Sequence, residues 1–155
     1  MQVVDDKAII LRTKRPHLVT EAIERCKVLS EEDGMYKVAV KWDFETASAL
    51  AEIGAKDVPS PMSRDYQWTG KLTPFDHQKE TAFFLSLYKK AFCFNEAGTG
   101  KTASVIWAAD YLMKMGLIKR VLVVCPLSIM KSAWQEDLFK FAMHRSCSVA
   151  YGTAN

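Results

Sequence analysis

The stretch Asn95 to Thr102 reads N-E-A-G-T-G-K-T and brings together two glycines, a lysine and a threonine. In that order these residue types can bind phosphate. Phosphate oxygens are held by a nest of backbone N–H groups and by the positive end of a helix dipole. Glycine at positions 98 and 100 leaves φ free and lets the backbone approach the oxygens. Lys101 follows where its ammonium can reach β and γ phosphates, and Thr102 where its hydroxyl can join a Mg²⁺ shell. The candidate set is Ala97, Gly98, Thr99, Gly100, Lys101 and Thr102, with Lys101 and Thr102 as the catalytic members and Thr102 as the metal ligand. The implied cofactors are ATP and Mg²⁺.

Such a loop needs a strand before it and a helix after it. Ala91 to Phe94 are apolar and predict a short buried strand. After the loop, Val105, Ala108, Ala109, Leu112 and Met113 fall at helical spacing and predict one apolar stripe, with Gly116 as the stop. The general phosphate-loop pattern would carry its first glycine at position 95, where this chain has Asn95.

The chain has 155 residues, 49% hydrophobic and 25% charged, which are values of a globular protein. A net charge of +3 permits a polyanionic partner without demanding one. The four cysteines, Cys26, Cys93, Cys125 and Cys147, are widely spaced and read as reduced thiols. His144 lies near Cys147, but one such pair does not make a metal site. No apolar run reaches transmembrane length and the first residues lack the order of a signal peptide, so no membrane partner is expected. The expected location is cytoplasmic for a bacterial or phage protein and nuclear for a eukaryotic one.

Three segments follow from the patterning. Residues 1–54 predict a small β-α-β-α accessory domain: a strand at Lys7 to Leu11, a helix at Leu18 to Leu29, an alternating strand at Tyr36 to Trp42, and a helix at Phe44 to Ile53 with Asp43 as its cap. Arg12, Lys14, Arg15 and His17 form a basic turn, and Lys37 and Lys41 share a strand face. Residues 55–72, with Pro59, Pro61 and Gly70, break both periodicities and predict a linker. From residue 73 to 155 an α/β lobe is expected. Thr73 and Pro74 open a helix running to about Lys89, with Phe75, Ala82, Leu85 and Tyr88 inward. Val121 to Cys125 is a continuous valine-rich run, as in a parallel strand buried on both faces. Ser128 then caps a helix at Ile129 to Phe141, with Trp134, Leu138 and Phe141 on one face, and Ser146 to Tyr151 predicts a third strand.

Taken together, residues 73–155 resemble the start of the ATPase lobe of superfamily-two helicases, in the SWI/SNF-type translocase branch. Asn95 to Thr102 resembles that branch's motif I, D-E-M-G-L-G-K-T, where an acidic or amide residue stands in place of the first glycine. P-F-D-H-Q at Pro74 to Gln78 resembles the L-x-P-[YF]-Q segment, with two extra residues between the aromatic and the glutamine. The resemblance puts Gln78 on the adenine edge, and an amide can donate and accept there at once. Tyr66 or Trp68 is a candidate for stacking on the base, from position alone. Val121 to Trp134 resembles motif Ia, V-x-C-P-x-S-[LV]-x-x-x-W, which implies DNA contact at Pro126, Leu127 and Ser128.

The first segment, with Y-K-V-A-V-K-W-D-F at Tyr36 to Phe44, resembles the HARP domain of annealing helicases. That likeness implies DNA contact by Arg12, Lys14, Arg15, Lys37, Lys41 and Trp42, although Trp42 equally suits a core. The short spacers suit a compact bacterial or phage member. The implied fold is a partial RecA-like lobe with a parallel sheet, preceded by the accessory domain. The implied partners are forked or double-stranded DNA and C-terminal helicase lobes. No D-E-x-H motif II follows Thr102, since Glu136-Asp137 has the wrong order and place. The 155 residues alone are therefore expected to bind nucleotide weakly and hydrolyse it negligibly, lacking the second lobe's arginine finger. Two rival readings remain: a non-catalytic DNA-binding or partner module that retains the loop, and a small P-loop kinase or other NTPase.

Overall fold

In a computed structural model, residues 1–152 are described. The chain divides into two compact units, residues 1–65 with 87–90, and residues 66–86 with 91 onward. The expected domain limit at 155 extends past the described residues.

The first unit is built on β1 (Gln2–Val4), β2 (Ala8–Thr13), α1 (Pro16–Ala22), β3 (Cys26–Glu32), β4 (Met35–Lys41), α2 (Phe44–Glu52) and the short α3 (Met62–Asp65). The strands form one antiparallel sheet in the order β1-β2-β4-β3. The expected β-α-β-α order is therefore corrected to β-β-α-β-β-α. The helix predicted over Leu18 to Leu29 ends at Ala22, and Cys26 onward is strand. The cause lies downstream. Asp33 (φ 50°) and Gly34 (φ 72°) are both left-handed and join Glu32 to Met35 as a two-residue hairpin turn. Asp-Gly favours that turn, and the hairpin draws Cys26 to Glu32 into the sheet.

Alternation sets the faces. Ile9, Leu11, Val38 and Val40 point to one side and pack with Val19, Ile23, Trp42 and Leu50 in a buried cluster. Asp43 caps α2 by accepting from the Thr46 N–H at 2.9 Å. Burial pushes the Asp43 carboxyl up, but hydrogen bonds from Lys41 and Thr46 outweigh it and hold the group below its ordinary range. The stretch 55–72, expected as a linker, is divided between the units. Pro61 and Met62 are buried in the first, and the Trp42 indole N–H donates to the Pro59 carbonyl at 2.9 Å.

The second unit carries α4 (Asp76–Leu87, its last residue grouped with the first unit), α5 (Lys101–Lys114) and α6 (Glu136–Phe141). Before α6 the chain makes a 3₁₀ turn at Leu127–Ile129 and a π-helical stretch at Met130–Gln135. Pro126, not Ser128, stands at the start of that turn, and no side chain caps it. The molecule is thus a mixed α/β protein whose sheet is antiparallel. The strands expected at Ala91 to Phe94, Val121 to Cys125 and Ser146 to Tyr151 make no strand pairing, so the expected parallel sheet is absent among the described residues. A strand exists only through its neighbours' backbone groups. Without them Phe94 and Val124 are both 89% exposed.

Two packing expectations also change. On α5 the buried residues are Ala103, Ser104, Ile106, Trp107, Ala108, Asp110 and Tyr111: Ala108 is buried as expected, while Val105, Ala109, Leu112 and Met113 are half-buried, because the large rings of Trp107 and Tyr111 take the centre of the packed face. On α4, Ala82 is buried as expected but Phe75 is exposed.

Candidate phosphate-binding site

The site is built where α5 begins. Gly98 and Gly100 both have φ +79°, in the left-handed region, and Gly100 is the helix N-cap. A glycine cap has no side chain, and no side-chain hydrogen bond closes this end of α5. The first N–H groups of the helix are left for an external acceptor. Lys101 folds back over the loop and donates to the carbonyls of Asn95 (2.8 Å) and Glu96 (2.7 Å). The Thr99 hydroxyl also donates to the Glu96 carbonyl, at 2.8 Å.

Side chains of α4 brace the loop. The Gln78 amide nitrogen donates to the Thr99 carbonyl at 3.2 Å, and His77 Nε2 lies 3.0 Å from the same oxygen. Gln78 Oε1 accepts from the Phe75 N–H at 3.1 Å. Asn95, in the place of the usual first glycine, donates to the Thr81 hydroxyl at 2.8 Å. His77 and Thr81 were not singled out from the sequence, and Asn95 only as a departure from the loop pattern. They lie 14 to 22 residues from their partners, and only the tertiary approach of α4 to the loop reveals them.

The residues fit a polyphosphate. An uncapped helix start, two left-handed glycines and a lysine converge, and a Cβ on Gly100 would come within 2.1 Å of the Gln78 amide nitrogen. Gly100→Ala is accordingly expected to push the Gln78 side chain off Thr99 and to add left-handed strain of order 1–3 kcal/mol, read as a drop in Tm together with weakened phosphate binding. Gln78 keeps one donor and one acceptor position beyond the bonds it makes, the set an adenine edge requires. Thr102 is half-buried on the first turn of α5. Among the described residues no group of three His, Cys, Asp or Glu could hold a metal by itself, so a cation here would rest on Thr102 and on the phosphates.

Tyr66 and Trp68 are corrected as stacking candidates. Both belong to the core of the second unit, where Trp68 meets Tyr66 and Trp107 edge-on at 5.3 and 5.4 Å. The Tyr66 hydroxyl donates to the buried Asp110 at 2.8 Å. Phe75, stacked on His77 at 5.7 Å and three residues before Gln78, is an exposed ring immediately before the helix that braces the loop.

The residues expected to meet DNA fall in both units. Arg12, Arg15 and Lys37 line one cleft of the first unit, which Lys56 joins without any signal in the sequence. Lys14 lies outside that lining, and Lys41 is paired with Asp43 at 2.8 Å. Trp42 is buried in the sheet's core and offers no face to a nucleic acid. Pro126, Leu127 and Ser128 are exposed on the 3₁₀ turn of the second unit. No helix among the described residues is long and apolar enough to cross a membrane.

No family model, curated protein or solved structure matches the chain. The loop's own geometry therefore carries the functional reading.

Proposed function

We propose that the chain is an ATP-binding, DNA-contacting part of a helicase or translocase of the SWI/SNF-type branch. The observation that supports it most is the uncapped start of α5, with Gly98 and Gly100 left-handed and Lys101 folded over the loop. In this reading Ala97, Gly98, Thr99, Gly100 and Lys101 hold the phosphates, Thr102 supplies a Mg²⁺ ligand, and Gln78 meets the adenine edge while bracing Thr99. Bound Mg²⁺ would neutralise charge on the β and γ phosphates. Arg12, Arg15 and Lys37 in one unit, and Pro126, Leu127 and Ser128 in the other, contact DNA phosphates.

The exposed apolar runs at residues 91–94 and 121–125 support the same reading. Continuous apolar segments of this kind suit the inside of a parallel sheet, and further strands with a catalytic carboxylate would complete both sheet and active site. The expected result is Mg·ATP binding by the chain alone in a calorimetric titration. Phosphate release should stay at background, with or without forked DNA. Absence of Mg·ATP binding would remove the proposal. Release above background would mean that these residues supply their own catalytic carboxylate.

A further inference from the structure

The first unit holds a cleft of about 590 Å³, within the size range of small-ligand sites. Arg12, Arg15, Lys37 and Lys56 stand in its lining, and no carboxylate does. Leu18 and Ile53 contribute aliphatic wall, and the lining has no aromatic ring.

The register sharpens the electrostatics. Arg12 and Lys37 are direct partners across β2 and β4, which places two cations opposite each other on one sheet face. Like charges so placed repel and destabilise a sheet. On its other side Lys37 faces Ser30, not an acid. The nearest acid on β3, Glu31, pairs with Tyr36 instead. None of the four cations makes an ion pair among the described residues, whereas the neighbouring Lys41 does. β1 pairs with β2 only through Ala8 to Ile10, so the β2 edge from Leu11 to Thr13, also in the lining, has no strand on that side. Its backbone groups are available to a ligand.

We propose that this cleft binds a terminal phosphate group, a phosphomonoester or polyphosphate, between Arg12, Arg15, Lys37 and Lys56. An anion there converts the Arg12–Lys37 repulsion into shared attraction, and guanidinium with ammonium is the donor set for phosphate. A strand tracked along its bases would need stacking rings, which the lining lacks. The group can come from a free nucleotide-like molecule or from the 5′ end of a nucleic-acid strand. The inference narrows the DNA-contact reading of Arg12, Arg15 and Lys37 to one terminal phosphate, and it does not rest on the phosphate loop.

The test uses the full chain carrying Lys101→Ala, which silences the loop. Inorganic pyrophosphate is titrated calorimetrically at low salt. One site is expected. Arg12→Gln with Lys37→Gln should weaken it by about tenfold or more, since two charge-assisted contacts are lost. Lys27→Gln, outside the lining, should leave it unchanged. Lys37→Gln alone should hold or raise the ligand-free Tm, because a repulsion is removed, so lost binding is not lost folding. A short oligonucleotide with and without a 5′ phosphate then separates the sources. Preference for the phosphorylated end assigns the strand terminus, and equal weak binding beside tight pyrophosphate assigns the free molecule. Failure of pyrophosphate to bind, or binding indifferent to the Arg12/Lys37 pair, overturns the proposal. If oligonucleotides still bind in that case, the broader DNA reading stands without it; if neither binds, both fall.

Discussion

Replacing Lys101 by alanine is expected to abolish Mg·ATP binding while leaving the fold in place. In the proposed site the Lys101 ammonium is the side-chain charge that meets phosphate, and in the free protein it donates to the Asn95 and Glu96 carbonyls at 2.8 and 2.7 Å. A charge-assisted hydrogen bond contributes about 1.5–3 kcal/mol. Losing two such contacts to a polyphosphate weakens binding by two or more powers of ten, past the range of an ordinary titration. The cost to stability is smaller, because Lys101's two loop bonds are exposed. Arginine at this position keeps the charge but not the compact head that fits between two carbonyls, so Lys101→Arg should restore little. Calorimetry with Mg·ATP, paired with thermal unfolding, checks both halves. Affinity unchanged by Lys101→Ala would remove the loop as the nucleotide site.

The loop was legible because its determinants are local. Glycines, lysine and threonine in eight residues, followed at once by a helix, need no knowledge of the rest of the chain. The same holds for the Asp43 cap and for the alternating strand at Tyr36 to Trp42. The Asp33-Gly34 hairpin was equally local, yet helical spacing in Leu18, Ala22, Cys26 and Leu29 hid it. Two of those four residues proved to be strand. A two-residue turn with both φ positive outranks a four-point periodicity, since the turn fixes the pairing register.

What the sequence hid is held by distant partners. Valine-rich runs at residues 121–125 carry the composition of a buried strand, but composition cannot supply the neighbours that such a strand bonds to. The α5 stripe was only partly legible for a related reason. Asp110 is polar and lies outside an apolar periodicity, yet its carboxylate is 1% exposed. Its acceptors are matched by donors up to 44 residues away. A buried acid looks unreasonable in a helix until those donors are known.

That acid sets the largest expected loss of stability. Asp110 accepts from the Tyr66 hydroxyl at 2.8 Å, from His144 Nε2 and Arg145 Nε at 2.7 Å each, and pairs with Lys114 at 3.1 Å. It ties the segment before α4 and the segment after α6 to the middle of α5. Thr69 extends the tie, since its hydroxyl donates to the Phe141 carbonyl at 2.6 Å and its carbonyl accepts from the Trp107 indole at 2.9 Å. Removing one partner of a buried charge cluster leaves the others unmatched and costs about 3–5 kcal/mol. Asp110→Ala should fall near the lower figure, because the His144, Arg145 and Lys114 side chains reach water on their other sides. The pH dependence separates charge from packing. Burial pushes the Asp110 carboxyl up, but hydrogen bonds from His144, Arg145, Tyr66 and Lys114 outweigh it and bring the group from 3.8 to about 2. A depressed carboxylate stabilises the folded state fully above its unfolded value and loses that contribution as pH falls through its folded value. From 3.8 to about 2 the loss amounts to about 2 kcal/mol. Urea unfolding followed by tryptophan fluorescence should therefore show stability falling between pH 4 and pH 2, and Asp110→Asn should flatten that fall while lowering the plateau above it. A plateau unchanged in Asp110→Asn would mean that the rings of Tyr66, Trp68, Trp107 and Phe141 hold these segments together without the charge, and the buried carboxylate would then be an incidental member of their core.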